Sequence, residues 1–167
     1  MNLLNLKKKI KFFLSLSLIL GTPSQAEILD LNDSEALVQT IIEEASRSMG
    51  KLVGAREVIW QWCEGTYYQP SRNLICLNKE EYKGTALAFA AAHEYAHHVQ
   101  YSKDKYGDKN NLRTELQADC FAGIILATIP KISFSTDEIQ EMLSLAEFKL
   151  GDKGYDEDNH HGSGENR

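Results

Sequence analysis

One short motif constrains this chain more than any other feature of its sequence. His93 and His97 stand four residues apart in an alanine-rich stretch, and Glu94 follows the first histidine directly. Residues at i and i+4 of an α-helix project from one face about a turn apart, so both imidazoles can reach one ion. Imidazole nitrogens bind Zn²⁺ at about 2.0–2.1 Å. The motif therefore predicts a helix, from Gly84 to about Tyr101, that carries two zinc ligands.

The carboxylate inside the motif gives it a catalytic interpretation. Glu94 is rotated by about 100° from His93 around the helix axis. From there it can reach a water molecule beside the metal without being a ligand itself. We expect Glu94 to act as the general base of a hydrolytic reaction.

A catalytic zinc ion needs a third protein ligand and an open fourth position. The metzincin pattern, with Gly at position 100 and His at position 103, is excluded because this chain has Gln100 and Lys103. A second predicted helix, at about 112–128, offers Glu115 and Asp119 on one face. We assign Glu115 to the metal and Asp119 to a hydrogen bond with a ligating imidazole. The spacing is equally compatible with the reverse assignment.

The remaining patterns predict an α+β fold that is mainly helical. Apolar residues at helical spacing indicate further helices at about 32–50 and 135–150. Short apolar runs at 58–60 and 74–77 are predicted strands that pair as a hairpin across a turn at 64–72. We expect a zincin-like core, in which the H-E-x-x-H helix packs on the E-x-x-x-D helix beside a small hairpin or sheet.

The N-terminal segment has the features of an export signal. Residues 1–26 combine four lysines, a short apolar stretch at 12–20 and a small-x-small pattern at 24–26. We predict a signal peptide, 1–26, that is removed by cleavage. The apolar stretch is too short to span a bilayer comfortably, so no stable membrane span is expected after cleavage.

The charge of the remaining chain argues against one class of partner. Taking four lysines from 18 basic residues leaves 14 against 24 acidic residues, a net charge of −10. An acidic domain with no basic patch repels phosphates, so we expect no nucleic-acid binding. With 167 residues, the chain is long enough for one domain with a sizeable core, predicted at 27–150. Residues 151–167 are polar and glycine-rich and form a predicted C-terminal tail.

Export also affects the interpretation of the three cysteines. An oxidising compartment permits a disulfide, and Cys63 and Cys76 flank the predicted turn, so we pair them. Cys120 lies in an apolar helical pattern and is predicted to be a small buried side chain.

Two sequence blocks resemble the neutral zinc metallopeptidase family, a gluzincin-like group. The segments 93–100 and 115–123 carry the resemblance, and the second matches over nine consecutive positions. A weaker block consists of 151–152, 161–163 and Arg167. Together these blocks run over roughly the second half of the chain.

The resemblance implies one zinc ion bound by His93, His97 and Glu115, with Glu94 catalytic and a peptide or protein as substrate. In gluzincins a downstream His or Tyr stabilises the oxyanion, and His161 could take that role. Alternatively, His161 is a solvated residue of the tail.

Two functions follow from these patterns. The first is an exported peptidase, periplasmic or extracellular, that hydrolyses peptide bonds with a zinc-activated water and Glu94 as base. In this hypothesis the predicted strand at 74–77 pairs with an extended peptide. The alternative is a catalytically inactive, zinc-stabilised binding module. Family members typically have a longer region before the metal helix than this chain, so its substrate-binding part is expected to be reduced. The sequence makes no prediction of the oligomeric state.

Overall fold

The computed structural model describes residues 29–103 and 111–148, so the predicted signal peptide (1–26) and polar tail (151–167) lie outside the described residues. The helices and strands, in chain order, are α1 (Ser34–Ala45), β1 (Ile59–Trp62), β2 (Tyr67–Gln69), β3 (Leu74–Leu77), α2 (Gly84–Ser102), α3 (Asn111–Thr128) and α4 (Thr136–Phe148). Helix α1 continues through a π-helical turn (Ser46–Gly50) into a short α-helical turn (Lys51–Val53), and a 3₁₀ turn (Pro70–Arg72) joins β2 to β3. The described residues confirm an α+β fold that is mainly helical.

Helix α2 lies at the centre of the molecule. Every residue from Leu87 to Gln100 is buried, so this helix has no solvent face along its central turns. Helices α1, α3 and α4 pack around it, together with β2 and β3. A helix buried on all sides needs small residues where its neighbours approach closely. The fully buried Ala88, Ala91 and Ala96 provide this space.

Helix α1 packs against α2. Its buried residues recur at three- and four-residue spacing, which gives one apolar face; they are Leu37, Val38, Ile41, Ile42 and Ala45. At its C-terminal end the π-helical turn brings Gly50 against Tyr95 of α2. Burial raises the pKa of Tyr95, an effect that its hydrogen bond with Ser46 opposes. The junction is close enough that position 50 has no room for a side chain.

The sheet has three strands in the order β1-β3-β2. Strand β3 runs parallel to β1 and antiparallel to β2. The predicted hairpin between the runs at 58–60 and 74–77 is therefore wrong, because the antiparallel partner of β3 is β2, in the segment predicted as a turn. All four residues of β3 are buried, which is typical of a central strand with neighbours on both sides.

The strand order also corrects the predicted docking strand. Strand β3 has both edges occupied, so it cannot pair with a peptide as the sequence suggested. In the described part of the chain, the outer edges of the sheet belong to β1 and β2. An edge strand presents unpaired backbone N–H and C=O groups that can bind another strand.

The disulfide between Cys63 and Cys76 is confirmed. Cys63 follows β1 directly and Cys76 lies in β3, with 5.3 Å between their Cα atoms. The bond thus joins the parallel pair instead of closing a hairpin. Disulfides persist in oxidising compartments, which is compatible with export. In the described ranges, no helix is long and apolar enough to cross a membrane.

The expectation that Cys120 is buried is wrong, because its thiol is exposed on α3. Helix α3 turns Ala118, Ala122 and Ile125 inward, and Cys120 lies on the other side of the helix. Apolar residues occur on both faces of α3, including the exposed Ile124, so periodicity alone could not identify the buried face.

The close packing of Gly50 on Tyr95 predicts a stability effect. A Cβ atom at position 50 would overlap the Tyr95 hydroxyl, so Gly50→Ala is expected to lower the free energy of unfolding by about 1–3 kcal/mol. Gly123→Ala is the matched control, because a Cβ there meets no atom within 4 Å and alanine favours a helix by roughly 0.5–1 kcal/mol. Urea denaturation measures both. Equal stability of the two variants would contradict the packing described here.

Candidate metal centre

The two histidines of the motif meet on one face of α2. Their Nε2 atoms lie 3.0 Å apart, and the rings stand edge to face with centroids separated by 4.7 Å. Both side chains are almost fully buried. The i, i+4 spacing has therefore directed both Nε2 atoms to one point inside the protein.

Glu115 on α3 reaches the same point from the neighbouring helix. Its Oε2 lies 3.1 Å from Nε2 of His93, and its Oε1 lies 3.4 Å from Nε2 of His97. Ligands of a tetrahedral ion at about 2.0–2.1 Å are separated by roughly 3.3 Å, so these spacings suit a zinc-sized ion. The buried group of His93, His97 and Glu115 could hold a metal ion.

Hydrogen bonds on the outer sides of the imidazoles set their orientation. Nδ1 of His93 lies 2.9 Å from Oδ1 of Asp119, and Nδ1 of His97 lies 2.8 Å from Oε1 of Gln100. If each Nδ1–H donates to its oxygen, each Nε2 keeps its lone pair for a metal. Asp119 meets His93 at the nitrogen away from Glu115, so the geometry favours Glu115 over Asp119 as the metal ligand.

Gln100 is a site residue that the sequence analysis missed. Its Oε1 faces His97 Nδ1, while its Nε2 donates to the backbone carbonyl of Thr114 at 2.7 Å and to Gln117 Oε1 at 3.2 Å. It therefore ties the ligand helix to α3 at the residue before Glu115. Its position three residues after His97, on the same helix face, was the available signal.

The electrostatics of the centre favour a positive charge. Burial lowers the pKa of His93. Hydrogen bonds to Asp119 and Glu115 and the charges of Glu94 and Glu115 together outweigh this effect and raise the pKa to about 9. In the metal-free protein a proton on His93 thus balances part of the surrounding negative charge. A divalent cation would supply that balance instead, and ligation requires the neutral imidazole.

Glu94, the predicted base, lies on the turn between the two ligands. It is only 4 % exposed, and its carboxylate has no hydrogen bond from residues 29–103 or 111–148. Its charge acts on the neighbouring His93. Glu94 therefore lies beside a candidate ligand in the helix and acts on it electrostatically. The other predicted catalytic residue, His161, lies outside the described residues.

Comparison with protein-family models, with curated proteins and with solved structures gave no match for this chain. The resemblance to the neutral zinc metallopeptidase family, and with it the zincin-like core, stays a prediction that rests on the two sequence blocks.

The raised pKa of His93 predicts proton release on metal binding. With a pKa of about 9, His93 is protonated in the metal-free protein at about pH 7, and zinc binding requires its neutral form. Titration calorimetry in buffers of different ionisation enthalpy should show release of about one proton per zinc ion. Asp119→Asn replaces the carboxylate whose hydrogen bond raises this pKa, so the variant should release less. Identical heats in all buffers would contradict the assignment.

Zinc content distinguishes a ligand from its hydrogen-bonding neighbour. Glu115→Ala removes a candidate ligand. If the wild type binds about one zinc ion per chain, as we expect, the purified variant should lose it. Asp119→Ala keeps all three ligands and should lower zinc affinity by about 10–100-fold without changing the stoichiometry. Elemental analysis and competition with a chelator measure both quantities. Zinc retained by Glu115→Ala and lost from Asp119→Ala would reverse the two assignments.

Proposed function

We propose that this chain is an exported zinc-dependent peptidase, periplasmic or extracellular, that hydrolyses peptide bonds with Glu94 as general base. The observation that carries the proposal is the position of Glu94. This buried carboxylate lies next to a three-ligand group and has no structural hydrogen bond from the described residues. A purely structural metal site would not need such a group.

The donor set supports zinc as the metal. Two imidazole nitrogens and one carboxylate oxygen form a three-ligand set found in catalytic zinc sites, which leaves a fourth position open. Calcium and magnesium prefer oxygen ligands, which the two histidines do not offer. When bound here, zinc would supply a Lewis acid that lowers the pKa of water to about 7.

Side chains of the protein would carry out proton transfer, ligand orientation and oxyanion stabilisation. Glu94 takes a proton from the attacking water and returns it to the leaving amine, as a general base and then a general acid. Asp119 and Gln100 hold the imidazoles of His93 and His97 in one orientation through their Nδ1 atoms. The gluzincin resemblance adds His161 as a proposed donor to the oxyanion.

Strand β2 is the better candidate for holding an extended peptide. Tyr68 on β2 packs edge to face on His98, which follows the ligand His97 on α2. This contact places the strand beside the ligand helix, and the side of β2 away from β3 is not paired within the described residues. A peptide that adds to this edge would gain backbone hydrogen bonds close to the metal centre.

The decisive variant is Glu94→Gln, which keeps the shape of the side chain and removes the base. Zinc content should be unchanged, and turnover of a peptide library should fall by about 10²–10⁴-fold. Glu35→Gln, a change at an exposed glutamate in the first turn of α1, is the control and should have wild-type activity. Mass spectrometry of the digested library measures both.

Two outcomes would redirect the proposal. Full hydrolysis by zinc-loaded Glu94→Gln would remove Glu94 from the mechanism. No hydrolysis by the zinc-loaded wild type would leave the alternative, an inactive zinc-stabilised binding module.

A further inference from the structure

A cavity of about 540 Å³ lies at the C-terminal end of the ligand helix α2. Its walls come from three places in the chain: Arg56 after the first helical region, Ser71 and Asn73 between β2 and β3, and Tyr101 with Ser102 on α2. Within residues 29–103 and 111–148, no acidic residue lines it, although acidic residues outnumber basic ones in the chain. The cavity is therefore a locally basic, hydroxyl-rich site on an acidic protein.

This lining suits a carboxylate. Arg56 contributes a permanent cation whose planar fork matches the two oxygens of a carboxylate. In the described part of the chain, no carboxylate forms an ion pair with Arg56. Ser71 and Asn73 add neutral polar groups at the same wall. An anionic group entering the cavity would meet donors and, among the described lining residues, no negative charge.

A chain of hydrogen bonds ties the cavity wall to the ligand helix. His98 on α2 contacts the Arg56 backbone carbonyl through Nε2 at 2.9 Å. The Tyr68 hydroxyl lies 3.0 Å from the other ring nitrogen of His98 and 3.2 Å from Oδ1 of Asn73. The wall is thus held in place by the residue that directly follows the ligand His97.

The cavity lies on the same side of α2 as the proposed base. Tyr101 follows Glu94 by seven residues, almost two full turns, so the two positions share a helix face about 10 Å apart along the axis. An extended peptide covers this distance in about three residues. Pro70 and Ser71, which follow β2 directly, line the cavity. A peptide paired with the open edge of β2 would therefore lead from the metal centre into the cavity.

We propose that this cavity binds a carboxylate of the peptide substrate, about three residues from the scissile bond, with Arg56 as the recognising cation. The carboxylate belongs either to an Asp or Glu side chain or to the C-terminus of the peptide. This inference rests on the proposed peptidase function and defines its substrate class.

The test uses sets of peptides derived from one cleaved sequence. Each set places Glu, Gln or Lys at successive positions on both sides of the cleaved bond, and each peptide is made with a free and an amidated C-terminus. For the wild type, kcat/KM is expected to be about tenfold higher with the carboxylate than with its neutral counterpart at one position. A Glu-over-Gln preference identifies a side chain, and a loss on amidation identifies the C-terminus.

Variants of the cavity assign this preference to Arg56. Arg56→Gln should abolish the tenfold ratio, and Arg56→Glu should shift the preference towards Lys. Arg72→Gln is the matched control, because Arg72 is an exposed arginine of the adjoining 3₁₀ turn that does not line the cavity. It should retain the wild-type ratio. If Arg56→Gln proves unstable, Ser71→Ala is the replacement test. It leaves Arg56 in place and should lower the ratio by a smaller factor.

The outcomes separate this inference from the function on which it rests. Peptide hydrolysis with the same carboxylate preference in the wild type and Arg56→Gln, or with no such preference, would overturn the cavity assignment and leave the peptidase standing. If the zinc-loaded wild type cleaves no peptide, the proposed function fails, and calorimetric binding of the same peptides decides. Weaker binding of carboxylate peptides to Arg56→Gln alone would support the cavity as a carboxylate site, and equal binding would overturn it.

Discussion

The packing of α3 on α2 is constrained by a carboxylate that is buried against two imidazoles. Three polar groups in a dry interface are costly unless each one is paired. Glu115 faces the Nε2 atoms, while Asp119 and Gln100 take the Nδ1 atoms of His93 and His97. The same contacts that satisfy these groups leave three ligand atoms directed at one point. The arrangement that pairs these buried groups therefore also suits a cation.

The architecture around this interface serves to hold one helix in place. Helix α2 is buried along its central turns and carries the candidate ligands on one side and His98 on another. The ring of His98 connects α2 to the Arg56 carbonyl and to Tyr68 of β2. The small sheet, linked internally by the disulfide between Cys63 and Cys76, thus packs on α2 at the residue that follows the candidate ligand His97. Helix α2 therefore contributes residues to the candidate metal centre, to the contact with the sheet and to the wall of the cavity.

Prediction from the sequence succeeded where the constraint was local. Spacing on α2 placed His93 and His97 on one face, and spacing on α3 did the same for Glu115 and Asp119. The prediction that these two faces meet was correct. Prediction failed for the sheet, where the partner of each strand depends on contacts outside the strand. The segment 64–72 was predicted as a turn because of its turn-forming residues, but it contains strand β2. The role of Gln100 was not predicted, because its hydrogen bonds to α3 are tertiary contacts that the sequence does not show.

The chemistry available to this protein follows from its sequence: two imidazoles and the Glu94 carboxylate in one helix, two further carboxylates at helical spacing in a second helix, and a cysteine pair suited to an oxidising compartment. Spacing within each helix is sufficient to place its side chains, because a helix fixes the direction of every side chain. The choice of Glu115 over Asp119 as the inner carboxylate, the central position of β3 and the cavity beside Arg56 are visible only in the folded chain. Each of these depends on how separate elements pack, and packing is a property of the whole chain.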